Sequence, residues 1–390
     1  MVRNSHMYKT WVEVDAVSLR HNFLALTKHL GKGVAVMAIV KSNAYGHGIV
    51  KVIKTIGGFA SEYYSEAKPP IVWFGVDSID EALILKKSGI KNPILILGYV
   101  PSAMLVDVVR NNFRVCLYDI PMLKELTRLA KKMRKKVFVH VKLETGTHRQ
   151  GVMPEDVSAF ARALKKSAPQ VIVQGAYTHF ADTENPKSRY YKEQLLAFQN
   201  AIKIFEEEGV RPQYLHTAAS AALLLYPEAH FTMARLGIAL YGMYPSPEVA
   251  DKVKKQVALK PALTWKTRVA QVKTIPAGKT IGYDRTYKAQ KEMKIAVIPI
   301  GYWDGFDRGF SNNGAVLVGG RRVPIVGNIC MNICMLDITK LRGVKPGDEV
   351  VLLGRQGREC ISAEELASRI STINYEITTC INPLIPRIII

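Results

Sequence analysis

The segment "AIVKSNAYGHG", residues 38–48, carries an apolar run into Lys41 and follows it with small, polar and glycine residues. A lysine driven to the end of a buried strand faces a site rather than bulk water. Poor solvation disfavours the ammonium, so its pKa is expected to fall below the free value of about 10.4. A neutral amine is a nucleophile toward carbonyls, giving Schiff bases, and a base toward acidic protons. The loop behind it supplies Tyr45, placed to lean over the strand end, and Gly46 and Gly48 for close backbone approach. Lys142, Arg149, His179, Ser220 and Arg235 stand at or just beyond the ends of other apolar runs.

Those runs cover 34–41, 71–76, 93–99, 113–119, 136–145, 171–180, 214–220 and 231–237. They are continuously apolar, as strands buried on both faces of a parallel sheet require. Between them, 78–89, 121–133, 156–167 and 190–209 show apolar spacings of three and four, the helical period. About eight strand–helix units predict a (β/α)8 TIM-type barrel over 15–246. A doubly wound open sheet is the alternative. It gathers its site at one switch point, whereas polar residues here recur at many strand ends, as around a barrel rim. A short strand in 7–14 is assigned to a later domain. From 247 to 390 the chain alternates apolar and polar residues, breaks often at Gly and Pro, and returns to a helical pattern only at 362–372. That reads as a mostly β domain.

The length of 390 residues accommodates two domains. No apolar run approaches the ~18 residues of a membrane span, and no secretory signal is read at the start. Residues 1–6 read as a leader left by cloning. The cysteine count of 5 is odd, which opposes a disulfide framework and points to a reducing compartment. Cys330 and Cys334 lack a second ligand pair, so no metal is expected. The net charge of +21 raises nucleic-acid binding, but the basic residues are scattered through 131–136, 187–192 and 251–255 without a reading motif. A basic field also attracts small anions.

"VKSNAYGHG" (40–48) resembles the pyridoxal-phosphate lysine motif of the alanine racemase family, and the resemblance runs from Met7 onward. It implies a barrel followed by a β domain, a pyridoxal 5'-phosphate cofactor, and a racemase interconverting L- and D-alanine in the cytoplasm to feed peptidoglycan synthesis. Lys41 is implied as the covalent anchor and one catalytic base. Inverting a carbon centre needs a second proton-handling group on the opposite face. "TIGYDRTY" (280–287) resembles the family's tyrosine motif and implies Tyr283, reaching the partner's site in a homodimer. A phenol with a pKa near 10 needs a basic neighbourhood to ionise. "MARLGIALYG" (233–242) implies Arg235 against the pyridine nitrogen. An arginine keeps its proton, so that nitrogen stays largely unprotonated. Phosphate contacts are implied for Tyr45, for Ser220 in "LHTAASAA", for the backbone of Gly237 and Ile238, and for Tyr375 in "INYEI".

"HVKLETGTHRQG" (140–151) resembles the motif whose arginine, here Arg149, contacts the cofactor's phenolic oxygen and the substrate carboxylate. Lys142 matches a lysine carbamylated in many relatives; an ordinary lysine pointing away is the alternative. Crowding of Lys41, Lys142, Arg149 and Arg235 favours converting one cation to an anion. His179 in "AYTHF" matches a histidine near the cofactor and Arg235, with a core histidine as the alternative. "IGYWDGFDRG" (300–309) implies Tyr302 as an entrance gate with Asp304 beside it, and "GNICMNICMLD" (327–337) implies the Met331 backbone at the substrate carboxylate. The family commonly has asparagine where Ala219 stands and aspartate where Asn332 stands, which leaves serine or a broader substrate range open. A decarboxylase of the same architecture would want an acidic partner for the ring nitrogen, and a cofactor carrier would lack the β domain.

Overall fold

The computed structural model describes residues 7–63 and 72–390; residues 1–6, expected to be a leader, and the first residue of the 71–76 run lie outside them. The chain forms two compact units.

The larger unit takes Val17–Ala44 and Ile49–Pro261. Its eight parallel strands are β2 (Ala35–Ile39), β3 (Trp73–Val76), β4 (Ile94–Ile96), β5 (Arg114–Leu117), β6 (Val137–Lys142), β7 (Val171–Tyr177), β8 (Tyr214–His216) and β9 (Met233–Leu236). Sequential strands pair from β2 to β8, and β9 returns to pair with β2 at Ala35↔Met233 through Ala38↔Leu236. The gap between β8 and β9 is closed outside the ladder, by Thr232 N–H to Leu215 O at 3.2 Å and Arg235 N–H to Ala218 O at 3.1 Å. This is the expected (β/α)8 barrel. Met37, Phe74, Leu95, Val115, Val139 and Leu236 are buried along its strands, which is why the runs read as continuously apolar.

Helix boundaries follow local signals. Ser78 caps Ile79–Lys87 by accepting Glu81 N–H, with Asp80 and Glu81 in the first turn and Lys86 and Lys87 in the last. Asp119 caps Ile120–Met133 through Met122 N–H, with Pro121 in the first turn. Val157–Lys166 and Tyr190–Glu207 complete the helices read from periodicity.

The second unit takes the described part of the N-terminal segment to Ala16, Tyr45–Gly48 and Ala262–Ile390. In its seven-stranded sheet β1 (Thr10–Val14) pairs antiparallel with β10 (Leu263–Arg268) and parallel with Arg387–Ile389. The run 264–275 is two strands, not one. Val269 N–H bonds Asp348 O at 2.9 Å while Ala270 N–H bonds Val297 O at 2.8 Å, so the chain changes partners there and Gln271–Ile275 enters a separate three-stranded sheet. The two units also divide later than 246. Helix Pro247–Val253 packs on Ser220–Leu225, and Asn22 takes Lys260 N–H and donates to Lys260 O, both at 2.8 Å, which ties the chain to the barrel unit as far as Pro261.

Gly46 shows how tightly the β unit is fitted. Its φ is +84°, and a Cβ there would lie 1.9 Å from Thr378 O. Gly46→Ala should therefore destabilise the protein by roughly 1–3 kcal/mol in a urea titration; an unchanged midpoint would show that this close approach carries no cost.

Candidate active site

Lys41 lies one residue past Val40, where β2 reaches the rim. The next four residues, Ser42 to Tyr45, all have φ between 52° and 55°, a left-handed turn that costs roughly 1–2 kcal/mol per non-glycine residue. Several bonds hold it. Ala44 N–H reaches Val40 O at 2.8 Å, and Asn43 Oδ1 accepts Ile49 N–H at 2.9 Å. One Glu81 oxygen accepts Asn43 N–H at 3.1 Å and the other accepts Asp77 N–H at 3.0 Å. Glu81 thus ties the lysine turn to the end of β3. The Lys41 amine stands 3.6 Å from Asp77 Oδ1, with side-chain exposures of 41% and 56%. This corrects the expectation of a poorly solvated amine: in the chain alone the turn swings Lys41 out to the rim beside an open carboxylate.

β6 ends on Lys142, which is buried, with Nζ 3.4 Å from Gln150 Oε1 and 5.8 Å from the centre of the Tyr177 ring. Burial lowers its pKa, and Arg149 and Arg235 push the same way. Lys142 therefore points inward. β9 carries Arg235, 3% exposed. Its guanidinium donates to the carbonyls of His216 (2.8 Å), Thr178 (2.9 Å) and Thr217 (2.8 Å), and to the ring nitrogens His216 Nδ1 (3.0 Å) and His179 Nδ1 (3.2 Å).

An arginine has donors only, so both of those Nδ1 atoms accept. Neutral His216 then carries its proton on Nε2 and donates it to His140 Nδ1 at 2.8 Å, leaving His140 protonated on Nε2 as well. The hydrogen bonds run one way, from Arg235 through His216 to His140, where the ring packs on Trp73 and Tyr214. Burial pushes His140 down to about 3, with Arg114 adding to it, and burial followed by Arg235 and His140 puts His216 well below the usual range. His179 is also held well below that range, by burial and then by Arg235, Arg149, Lys142 and Lys41. Four cations carried by β9, β6 and β2 or by the loops just beyond them thus add to burial in keeping one imidazole neutral.

Ser220 opens the helix Ser220–Leu225, and its Oγ accepts Gly237 N–H and Ala239 N–H, each at 3.2 Å. Ile238 begins a single 3-10 turn directly after Gly237. Two helix starts and a hydroxyl side by side favour an anion. Ala219, at the cap of the first, supplies no side-chain cap.

The β unit holds the remaining residues. Tyr283 sits at the tip between Thr280–Ile281 and Tyr287–Lys288, 71% exposed, with Asn328 Nδ2 donating to Tyr283 O at 3.2 Å and to Asp284 Oδ2 at 2.9 Å. Tyr302 N–H bonds Cys330 O at 3.2 Å and Trp303 N–H bonds Met331 O at 3.0 Å, which joins the 300–309 and 327–337 segments. Asp304 is buried and accepts Gly301 N–H at 3.0 Å, so it braces the turn rather than presenting a carboxylate beside Tyr302. The Tyr45 and Tyr375 rings lie 6.1 Å apart.

The sequence reading missed Asp77, Glu81, His140, Glu144 and His216. His140 was findable: two residues before Lys142 on one strand, it shares that strand face. Among the described residues no helix is long and apolar enough to cross a membrane.

A closed barrel whose rim collects an amine, two guanidiniums and a buried second lysine, continued by a separate β unit, defines an enzyme of the barrel-plus-β class. Residues 14–245 match the N-terminal domain of alanine racemase and residues 262–389 its C-terminal domain. An alanine racemase of Symbiobacterium thermophilum is 42% identical over 98% of this chain and 97% of its own length. The crystal structure of alanine racemase from Streptomyces lavendulae superposes with a TM-score of 0.90 at 33% identity, covering 98% of this chain and 97% of that one. That of Bartonella henselae, solved with covalently bound pyridoxal phosphate, gives 0.83 at 25% identity over 98% of this chain and 100% of that one. The chain belongs to the alanine racemase family, a family of isomerases.

The buried histidines make a pH prediction. Unfolded imidazoles take up protons below about pH 6.5, whereas folded His140 and His216 resist. Stability should be full above that pH and fall as pH drops, by roughly 1.4 kcal/mol per pH unit for each. His140→Asn should flatten the slope of urea-unfolding free energy between about pH 6 and about pH 5 by that amount; an identical slope would mean His140 is protonated in the native state.

Proposed function

We propose that this chain interconverts L- and D-alanine with pyridoxal 5'-phosphate held at the barrel rim, acting as a cytoplasmic homodimer that supplies D-alanine for peptidoglycan. The observation that carries it is the placing of Lys41, Lys142 and Arg235 at the ends of β2, β6 and β9, with Arg149 in the loop after β6 and Arg235 bonded to His179 Nδ1 at 3.2 Å. Such a crowd of cations wants an anionic guest, and a phosphorylated aldehyde plus an amino-acid carboxylate meets that need. The donor set fits. Ser220 with the Gly237 and Ile238 backbone suits a phosphate; Tyr45 and Tyr375 are the proposed further hydroxyls. Arg235 suits a ring nitrogen that stays unprotonated, and the Lys41 amine suits the aldehyde carbon. When bound, the cofactor supplies an electron sink for the α-carbon's bonding electrons.

The protein's own groups do the rest. Arg149 and the Met331 backbone orient the substrate carboxylate, and Tyr302 narrows access. Lys41 takes or returns the α-proton on one face, and Tyr283 of the partner subunit does so on the other. Asn332 leaves serine as a second substrate to be assayed beside alanine. In deuterated water the enzyme should place deuterium at the α-carbon of both alanine enantiomers as the mixture racemises. Tyr283→Phe should cut racemisation by about 10²–10⁴-fold while still exchanging the α-proton of one enantiomer. Lys41→Ala should abolish covalent cofactor, and mixing the two inactive variants should restore partial activity. Retention of deuterium-free alanine during racemisation, or no restoration on mixing, would overturn the two-base shared-site reading.

We further propose that Lys142 is carbamylated. Its amine is buried among cations with a lowered pKa, which favours the neutral form that takes up carbon dioxide, and the resulting anion offsets Arg149. Protein equilibrated with ¹³C-bicarbonate should show a carbamate carbonyl resonance that is missing in Lys142→Ala; equal spectra would exclude the modification.

A further inference from the structure

Glu144 follows Lys142 by two residues and is 5% exposed. Its carboxylate faces backbone. Oε1 accepts Gly146 N–H at 2.6 Å and Thr147 N–H at 2.7 Å, and Oε2 accepts Arg149 N–H at 3.2 Å. Burial alone would raise its pKa, but the backbone N–H groups of Gly146, His148, Arg149 and Thr147 outweigh it and hold the carboxylate below the usual range.

The surrounding loop has few other freedoms. Gly146, His148 and Gly151 have φ of 135°, 50° and 149°. Thr145 and Thr178 share a hydrogen bond at 2.7 Å, Thr147 Oγ1 donates to His179 O at 2.5 Å, and Tyr190 donates to Gly146 O at 3.3 Å. A Cβ on Gly146 would fall 2.2 Å from the Tyr190 hydroxyl oxygen, and one on Gly151 2.5 Å from Glu144 N. Those contacts fix the first half and the exit of the loop. The bond from Glu144 Oε2 is what reaches Arg149.

We propose that Glu144 is a positioning residue for the substrate carboxylate: it acts through the Arg149 backbone to set where that guanidinium is delivered. This rests on the carboxylate role proposed for Arg149. Glutamine at 144 would divide the clamp. With its oxygen toward Gly146 and Thr147, two bonds survive, and its NH2 then opposes Arg149 N–H, donor against donor. The fold is retained and the arginine is loosened.

The test is steady-state kinetics of the Glu144→Gln holoenzyme with alanine, with propionate as a competitive inhibitor that reads the carboxylate subsite alone. KM for alanine and Ki for propionate should rise together, by about tenfold for loss of one bond to a charged acceptor, while kcat changes by less than about twofold. Glu144→Asp, charged but shorter, should be intermediate. Unchanged KM and Ki, with the loss confined to kcat or to the unfolding midpoint, would overturn the proposal. Arg149→Leu separates the two ideas. If it raises both constants and Glu144→Gln does not, the clamp alone fails; if it raises neither, the carboxylate role of Arg149 fails and the clamp with it. Should the Glu144 variants not fold, hydrogen exchange of the unmodified enzyme decides: the Arg149 amide should be strongly protected, and exchange at the rate of an open loop would refute the clamp.

Discussion

The gathering of positive charge at the barrel rim is the constraint around which the barrel site is arranged. Lys41, Lys142, Arg149 and Arg235 all act on His179. Of the nearby acids, Asp77 stands near Lys41 in an open position, and Glu144 faces backbone amides. Like charges brought together raise the free energy of the empty protein, and an anionic guest recovers it. Burial first, and the same crowding second, keep His179 and His216 neutral and depress the Lys142 amine.

Three acids do a different job from ion pairing. Glu81 gathers the amides at the ends of two neighbouring strands, and Glu144 gathers those of a single loop. A carboxylate bonded to amides is anionic without neutralising a guanidinium. It can shape the loops that deliver cations while leaving those cations available to a ligand. Asp304 serves the β unit in the same manner, bracing Gly301.

Much of this was legible in the chain. The barrel shows because strands buried on both faces are written as uninterrupted apolar runs, and the end of each run marks the rim, so Lys142 and Arg235 could be placed before any coordinates. The helix Asn374–Thr379, which carries Tyr375, was not legible as a helix: at six residues it is too short to display a period. The solvation of Lys41 was misjudged for a related reason. Periodicity describes the strand before Lys41 but not the left-handed turn after it, where four non-glycine residues adopt a conformation that local preference opposes. Such a turn is held by Glu81, forty residues on, and a partner at that separation leaves no local mark. His216 was hidden because a three-residue strand gives no alternation to read.

The one-way run of hydrogen bonds from Arg235 to His140 has a consequence for where protons can travel. A wire conducts only if its head can accept what it later passes on, and a guanidinium has no lone pair to offer. The buried imidazoles behind it cannot drain or refill the site, however well aligned they are. Along this run the barrel's interior is an insulator, and protons of the site do not pass through these two rings.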